Sequence, residues 1–142
     1  MTERVLLVDD EEEYLEIMSE RMRARDIEVT TSTSAREALN MIATESYDAV
    51  IMDFMMPEMN GIEALKVIKE KNPEMQIILL TGHATVEKTV EAMKAGAMDL
   101  IEKPADLDAL SEKIKNAHNQ KALLVAKKDQ DRVIDMLKKF GM

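Results

Sequence analysis

Apolar residues in this chain come in short runs separated by amphipathic stretches. Val5-Leu6-Leu7-Val8, Ala49-Val50-Ile51-Met52 and Ile77-Ile78-Leu79-Leu80 are apolar at every position. Runs of four with no polar alternation predict strands covered on both faces. Ile27–Thr30 predicts a shorter edge strand, and Met98–Ile101 a fifth strand. Between them, Leu15, Met18 and Met22 recur at helical spacing within residues 12–25. Ser34-Ala35-Arg36-Glu37 has the form of a capping box and opens a helix to about Glu45. Asn60-Gly61-Ile62-Glu63 opens a third helix, with Ile62, Leu65 and Ile68 inward and a stop near Asn72-Pro73. Thr85 caps a fourth, which carries Val86, Val90 and Met93 and ends at Gly96. Asp106 caps a fifth, with Leu107, Leu110, Ile114 and Ala117 inward.

Strands that alternate with helices imply right-handed crossovers. The expected fold is therefore α/β: a doubly wound, five-stranded parallel sheet with helices on both faces. Residues 1–120 suffice for it. Residues 121–142 form a C-terminal helical extension. Lys127-Lys128-Asp129-Gln130-Asp131 interrupts the apolar pattern there, before Val133, Ile134, Leu137 and Phe140 resume it. Either one helix runs on from about residue 106, or a break precedes a short amphipathic helix. The stripe Leu123, Leu124, Val133, Ile134, Leu137, Phe140 needs cover: a dimer seam, the chain's own globular part or a partner.

Composition narrows the class. The 142 residues fit one domain with a core, and 46% are apolar. No cysteine is present, which excludes thiolate metal sites and cysteine nucleophiles. The 13 methionines fall mostly at inward positions and read as core packing. Net charge is −9, against a nucleic-acid surface, while residues 121–142 carry +3 and the rest −12. No apolar run approaches membrane-spanning length. Met1-Thr2-Glu3-Arg4 enters the first strand without a signal-peptide pattern, so a cytoplasmic location is expected.

The chemistry lies at strand ends. Asp9 and Asp10 follow the first apolar run, Asp53 the third strand, Thr81 the fourth and Lys103 the fifth. In a parallel sheet all these ends share one edge, where ligands bind in such folds. Each residue alone has an ordinary structural explanation; together they assemble three carboxylates, a hydroxyl and an ammonium. Asp53 is the candidate nucleophile toward phosphorus. Crowded carboxylates call for a hard cation, and Mg²⁺ suits oxygen ligands better than Zn²⁺. Thr81 and Lys103 are placed to meet a phosphoryl group.

Four motifs then carry a resemblance: Val8-Asp9-Asp10-Glu11, Asp53-Phe54-Met55-Met56-Pro57-Glu58-Met59-Asn60-Gly61, Leu80-Thr81-Gly82-His83 and Lys103-Pro104. The chain resembles, from residue 4 to about 118, the receiver domains of two-component response regulators. Residues 81–97 look most like receivers of sigma-54-type, ATP-driven activators, yet neither a phosphate-binding G-x-x-x-x-G-K-[ST] loop nor a helix-turn-helix follows. The chain is either stand-alone or part of a longer regulator. The resemblance implies strand order 2-1-3-4-5 and Asp53 as phosphoacceptor. It implies Mg²⁺ held by Asp10, Asp53 and the Met55 carbonyl, with Asp9 acting through water. Thr81 and Lys103 would contact the phosphoryl group, and the Lys103-Pro104 bond would be cis. Implied partners are a sensor histidine kinase or histidine phosphotransfer protein and a downstream effector, with no nucleic acid and no membrane. A homodimer through the C-terminal helix, or through the face of the fourth helix, fifth strand and fifth helix, is left open.

One departure matters. Receivers carry an aromatic switch residue on the fifth strand, three before the lysine; here it is Leu100. Met55 and His83 occupy positions that tune phosphoryl lifetime, and His83 reads as an exposed loop residue in preference to a general base. The function expected is a phosphorylation switch that catalyses only its own phosphotransfer and autodephosphorylation. The alternative is a receiver-like interaction module that is never phosphorylated. A hydrolase with an aspartyl-phosphate intermediate would place an acid where Met55 stands. A flavin protein would need a phosphate loop after the first strand, and none is present.

Overall fold

The computed structural model describes residues 2–141 and places five strands and five helices among them. The strands are β1 (Arg4–Val8), β2 (Glu28–Ser32), β3 (Ala49–Asp53), β4 (Ile77–Thr81) and β5 (Asp99–Glu102). The helices are α1 (Glu12–Arg23), α2 (Ala35–Thr44), α3 (Gly61–Lys71), α4 (Val86–Lys94) and α5 (Leu107–Lys139). All strand pairs are parallel, in the order β2-β1-β3-β4-β5. The expected doubly wound sheet is the observed one.

Side chains on a strand alternate between faces. Leu6, Val8, Val50, Met52, Ile77 and Leu79 point to one side and join α2, α3 and α4 residues in one core cluster. Val5, Leu7, Ala49, Ile51, Ile78 and Leu80 point to the other and pack with Leu15, Met18, Met22, Leu110 and Ile114 of α1 and α5. The central strands β3 and β4 are buried at every position. That explains why their sequences are apolar up to their last residues, Asp53 and Thr81.

Four helix starts carry the caps their sequences predict. Ser34, Asn60 and Thr85 accept from the backbone N–H three residues on, and Asp106 accepts from Asp108. The box at Ser34 closes on one side only, because the Ser34 N–H donates to Ser32 Oγ. On α4 the apolar positions Val86, Val90 and Met93 are exposed, and only Ala92 is buried.

The tail resolves in favour of one continuous helix. α5 runs 33 residues, about 50 Å, through the charged stretch 127–131 without a break. Lys, Asp, Gln and Arg all propagate a helix acceptably, so a lapse in the apolar pattern does not end it. Its first third packs on the sheet. Its departure is clamped where His118 Nδ1 meets Asp48 Oδ1 at 2.6 Å and Lys121 Nζ donates to Ser46 Oγ and Tyr47 O. From Ala122 onward every described residue is exposed.

Gly61 fixes the turn between β3 and α3. A Cβ there would lie 3.0 Å from both Asp53 O and Phe54 Cα, and 3.2 Å from Leu79 Cδ2. Ala would raise helix propensity by up to about 1 kcal/mol, but two of these contacts are backbone that cannot swing aside. The clash wins: Gly61→Ala should destabilise the domain by about 1–3 kcal/mol in urea denaturation.

Candidate functional site

Register explains how the site assembles. Val8 pairs with Met52, so one residue further Asp9 comes level with Asp53. Asp53 pairs with Leu80, which sets Thr81 one step beyond it. Thr81 pairs with Glu102, which sets Lys103 one step beyond again. The carboxyl edge thus steps outward from β1 to β5. Only a long, flexible side chain starting at the far step reaches back to the carboxylates, and Lys103 has one.

Lys103 Nζ lies 2.7 Å from Asp9 Oδ2 and 3.4 Å from Asp53 Oδ2. Asp9 is 1% exposed and also accepts from the Glu11 N–H. Asp53 is buried, and its Oδ1 lies 3.4 Å from the Met55 N–H. Asp10 is exposed at the rim. One oxygen from each of Asp9, Asp10 and Asp53 falls within 4.8 Å of the others. Three hard carboxylate oxygens this close suit a small divalent cation that takes one or two carboxylates directly and completes its shell with waters. The Asp9–Lys103 pair means Asp9 is already partnered, while the Asp10 rim position faces solvent.

The electrostatics bear the marks of crowding. Burial, followed by the Asp9 charge, raises the Asp53 carboxyl above the ordinary carboxylate range, and the Lys103 ammonium offsets only part of that. Burial lowers the Lys103 ammonium, but its hydrogen bond to Asp9 and the charges of Asp53 and Asp9 raise it more. Lys103 therefore stays charged throughout the neutral range.

Thr81 is buried at the edge. Its hydroxyl donates to His83 O and accepts from the His83 N–H, both at 3.3 Å. It makes no hydrogen bond to Asp53 or Lys103 among the described residues. His83 and Met55 are exposed. Leu100 is buried in the cluster that holds Ala92 and Ala97. The Lys103-Pro104 peptide is cis.

One neighbour was not foreseen. The Tyr14 ring lies under the Lys103 ammonium, 4.5 Å from centroid to Nζ, and its hydroxyl is buried without a hydrogen-bond partner. Burial raises the Tyr14 phenol. The signal available was its i, i+4 spacing from Met18 on the inward face of α1. Its meeting with Lys103, 89 positions away, had none.

The family model of the response regulator receiver domain matches residues 5–115. The chain belongs to that family. It is 40% identical over 108 residues to the regulatory protein AtoC of Escherichia coli K12, covering 76% of this chain and 23% of that protein. It is 36% identical over 113 residues to the transcriptional regulatory protein ZraR of the same strain, covering 80% and 26%. The chain thus spans about a quarter of the length of these curated relatives. Among solved structures, a receiver domain from Clostridium thermocellum superposes with a TM-score of 0.80 at 36% identity, over 86% of this chain and 98% of that one. A CheY-like receiver from Methanospirillum hungatei JF-1 gives 0.79 at 31%, over 86% and 98%. Receivers are signalling switches that generally bind Mg²⁺ at an acidic pocket, and a cluster of Asp9, Asp10 and Asp53 that could hold a metal ion is present here.

The raised Asp53 has a consequence for stability. A carboxyl raised in the folded state favours folding only while protonated. That contribution is lost as pH rises from the unfolded value through the folded one. At pH 7 without metal, ionised Asp53 therefore opposes folding. Asp53→Asn removes that opposition and leaves Lys103 paired with Asp9. In chelator at pH 7, its thermal midpoint should exceed wild type by about 2 °C or more by calorimetry, and added Mg²⁺ should raise wild type more than the variant.

Proposed function

We propose that this receiver is a phosphorylation-dependent switch with Asp53 as its phosphoacceptor. What supports this most is the seat of the Lys103 ammonium between Asp9 and Asp53, one charge away from balance and open at the rim. An Asp53 oxygen attacks the phosphorus of a phosphohistidine on a sensor kinase or phosphotransfer protein. An O–P bond forms, the N–P bond breaks, and the electron pair returns to the imidazole, which takes up a proton. Asp10, Asp53 and the Met55 carbonyl would hold Mg²⁺, with Asp9 at one remove, and the ion would supply positive charge against the phosphoryl oxygens. Lys103 supplies the second positive charge to the same oxygens. Thr81 exchanges its His83 bonds for one to a phosphoryl oxygen. Hydrolysis by water returns Asp53, with Met55 and His83 at the entrance setting the rate.

Phosphorylation acts by shifting a pre-existing balance between two conformations. Leu100 cannot form the hydroxyl or ring-edge contacts of an aromatic switch residue, so output here depends on the Thr81 rearrangement and the adjoining α4. The exposed Val86, Val90 and Met93 give an effector an apolar surface. No helix among the described residues is long and apolar enough to cross a membrane. The reading places the protein in the cytoplasm with its kinase, acting on protein partners rather than on nucleic acid or lipid. Residues 121–142 serve as an extension of the receiver in residues 1–120.

The test is intact mass after incubation with acetyl phosphate. A single Mg²⁺-dependent phosphoryl adduct, absent in Asp53→Asn, is expected. No adduct together with no Mg²⁺ binding would leave an unphosphorylated interaction module. Tyr14 refines the expectation, because its ring steadies Lys103 from below. Tyr14→Leu should slow adduct formation about three- to tenfold, while Tyr14→Phe keeps the ring and the wild-type rate. Equal losses of rate in both variants would contradict a role for the ring.

A further inference from the structure

We propose that Lys88 ties α4 to the carboxyl edge and carries a change at Thr81 into the helix, the task that Leu100 cannot perform. The trigger, phosphorylation of Asp53, rests on the function proposed above; the tie itself is present in the resting fold.

The first observation is where Lys88 stands. Thr85 caps α4, and its hydroxyl accepts from the Lys88 N–H, so Lys88 lies in the first turn. A cation there opposes the helix dipole and weakens the helix. Glu91 follows three residues on, a spacing that permits an ion pair. Yet among the described residues Lys88 pairs with no carboxylate. Its charge therefore serves neither α4 nor a surface ion pair.

The second observation is what the ammonium meets. Lys88 Nζ donates to the His83 carbonyl at 2.7 Å and lies 5.6 Å from the centroid of the Phe54 ring. A charge-assisted hydrogen bond is about twice as strong as a neutral one. His83 belongs to the loop after β4. Phe54 follows Asp53 directly, is buried, and donates its N–H to Leu80 O at 2.6 Å. One half-buried side chain of α4 thus grips the loop after β3 and the loop after β4 together.

The third observation is that Thr81 uses the same oxygen. Its hydroxyl donates to His83 O at 3.3 Å, beside Lys88. A carbonyl has two lone pairs, and here two donors share them. When the Thr81 hydroxyl leaves for a phosphoryl oxygen, Lys88 is the one side chain among the described residues still holding that carbonyl. The His83 peptide then relaxes toward the ammonium, and the first turn of α4 moves with it. Val86 and Val90, two residues to either side of Lys88, are exposed, so the movement reaches an apolar surface. Leu100 packs in the cluster that holds Ala92 and Ala97 and has no polar side-chain atom with which to sense the hydroxyl.

The test reads backbone amides of the full chain by two-dimensional NMR. Lys88→Met keeps the stem over Phe54 and removes the ammonium, while Lys88→Arg keeps a charged donor. In the resting chain, Thr81→Ala should shift the amides of Thr89 to Met93. In a Lys88→Met background the same substitution should shift them about half as far or less, and a Lys88→Arg background should restore the response. With Mg²⁺ and beryllofluoride, a tetrahedral mimic of a phosphoryl group on a carboxylate, the amides of Thr81 and Lys103 should shift in wild type and both Lys88 variants. Those of α4 should follow in wild type and Lys88→Arg only. The dispersed spectra show that each variant is folded. Equal α4 shifts in wild type and Lys88→Met, or no α4 response to Thr81→Ala in wild type, would overturn the proposal. If wild type takes up neither an acetyl-phosphate adduct nor beryllofluoride, the phosphorylation reading fails and the Thr81→Ala comparison alone decides the tie.

Discussion

The seat of the Lys103 ammonium between Asp9 and Asp53 is the interaction on which the rest of the site depends. Two buried carboxylates on adjacent parallel strands repel each other, and a third stands at the rim. Without a cation the carboxyl edge would swell or protonate. Lys103 meets the need from β5, two strands away, because the register steps outward across β3, β4 and β5 and its side chain spans the gap. Its hold is partial, as the raised Asp53 shows. A site left short of positive charge in its resting state has a standing affinity for a divalent cation.

Much of this was legible in the sequence, for specific reasons. Ala49–Met52 and Ile77–Leu80 are apolar throughout because both faces are covered, and an all-apolar run of four bounded by polar residues reads in few other ways. Ser34, Asn60, Thr85 and Asp106 announce helix starts by local hydrogen bonding, which needs no tertiary context. Asp9, Asp10, Asp53, Thr81 and Lys103 sit at strand ends, so topology alone gathers them at one edge.

Other features depended on contacts that no local pattern encodes. Tyr14 meets Lys103 only through the docking of α1 beside β5's outlet. Thr81 turns its hydroxyl to His83 because its own tight turn offers nearer partners than Asp53. The Val86, Val90 and Met93 face of α4 carries helical periodicity yet faces water, since periodicity marks an apolar stripe and does not say what covers it. The continuity of α5 was undecidable from residues 127–131, which are polar but good helix formers.

The two ends of the fold divide the work. β3 ends in Asp53 at the carboxyl edge, and at its other end Asp48 binds His118, where α5 leaves the sheet. One five-residue strand therefore runs from Asp53 to the root of the extension.

The most direct measurement is the identity of the residue that carries the phosphoryl group. Reduction of the phosphorylated chain with borohydride converts an acyl phosphate to an alcohol, and peptide mass mapping then reads the position. The account predicts homoserine at residue 53 alone, and none when Mg²⁺ is withheld. Homoserine at residue 9 or 10, or none at 53 in the presence of Mg²⁺, would contradict it.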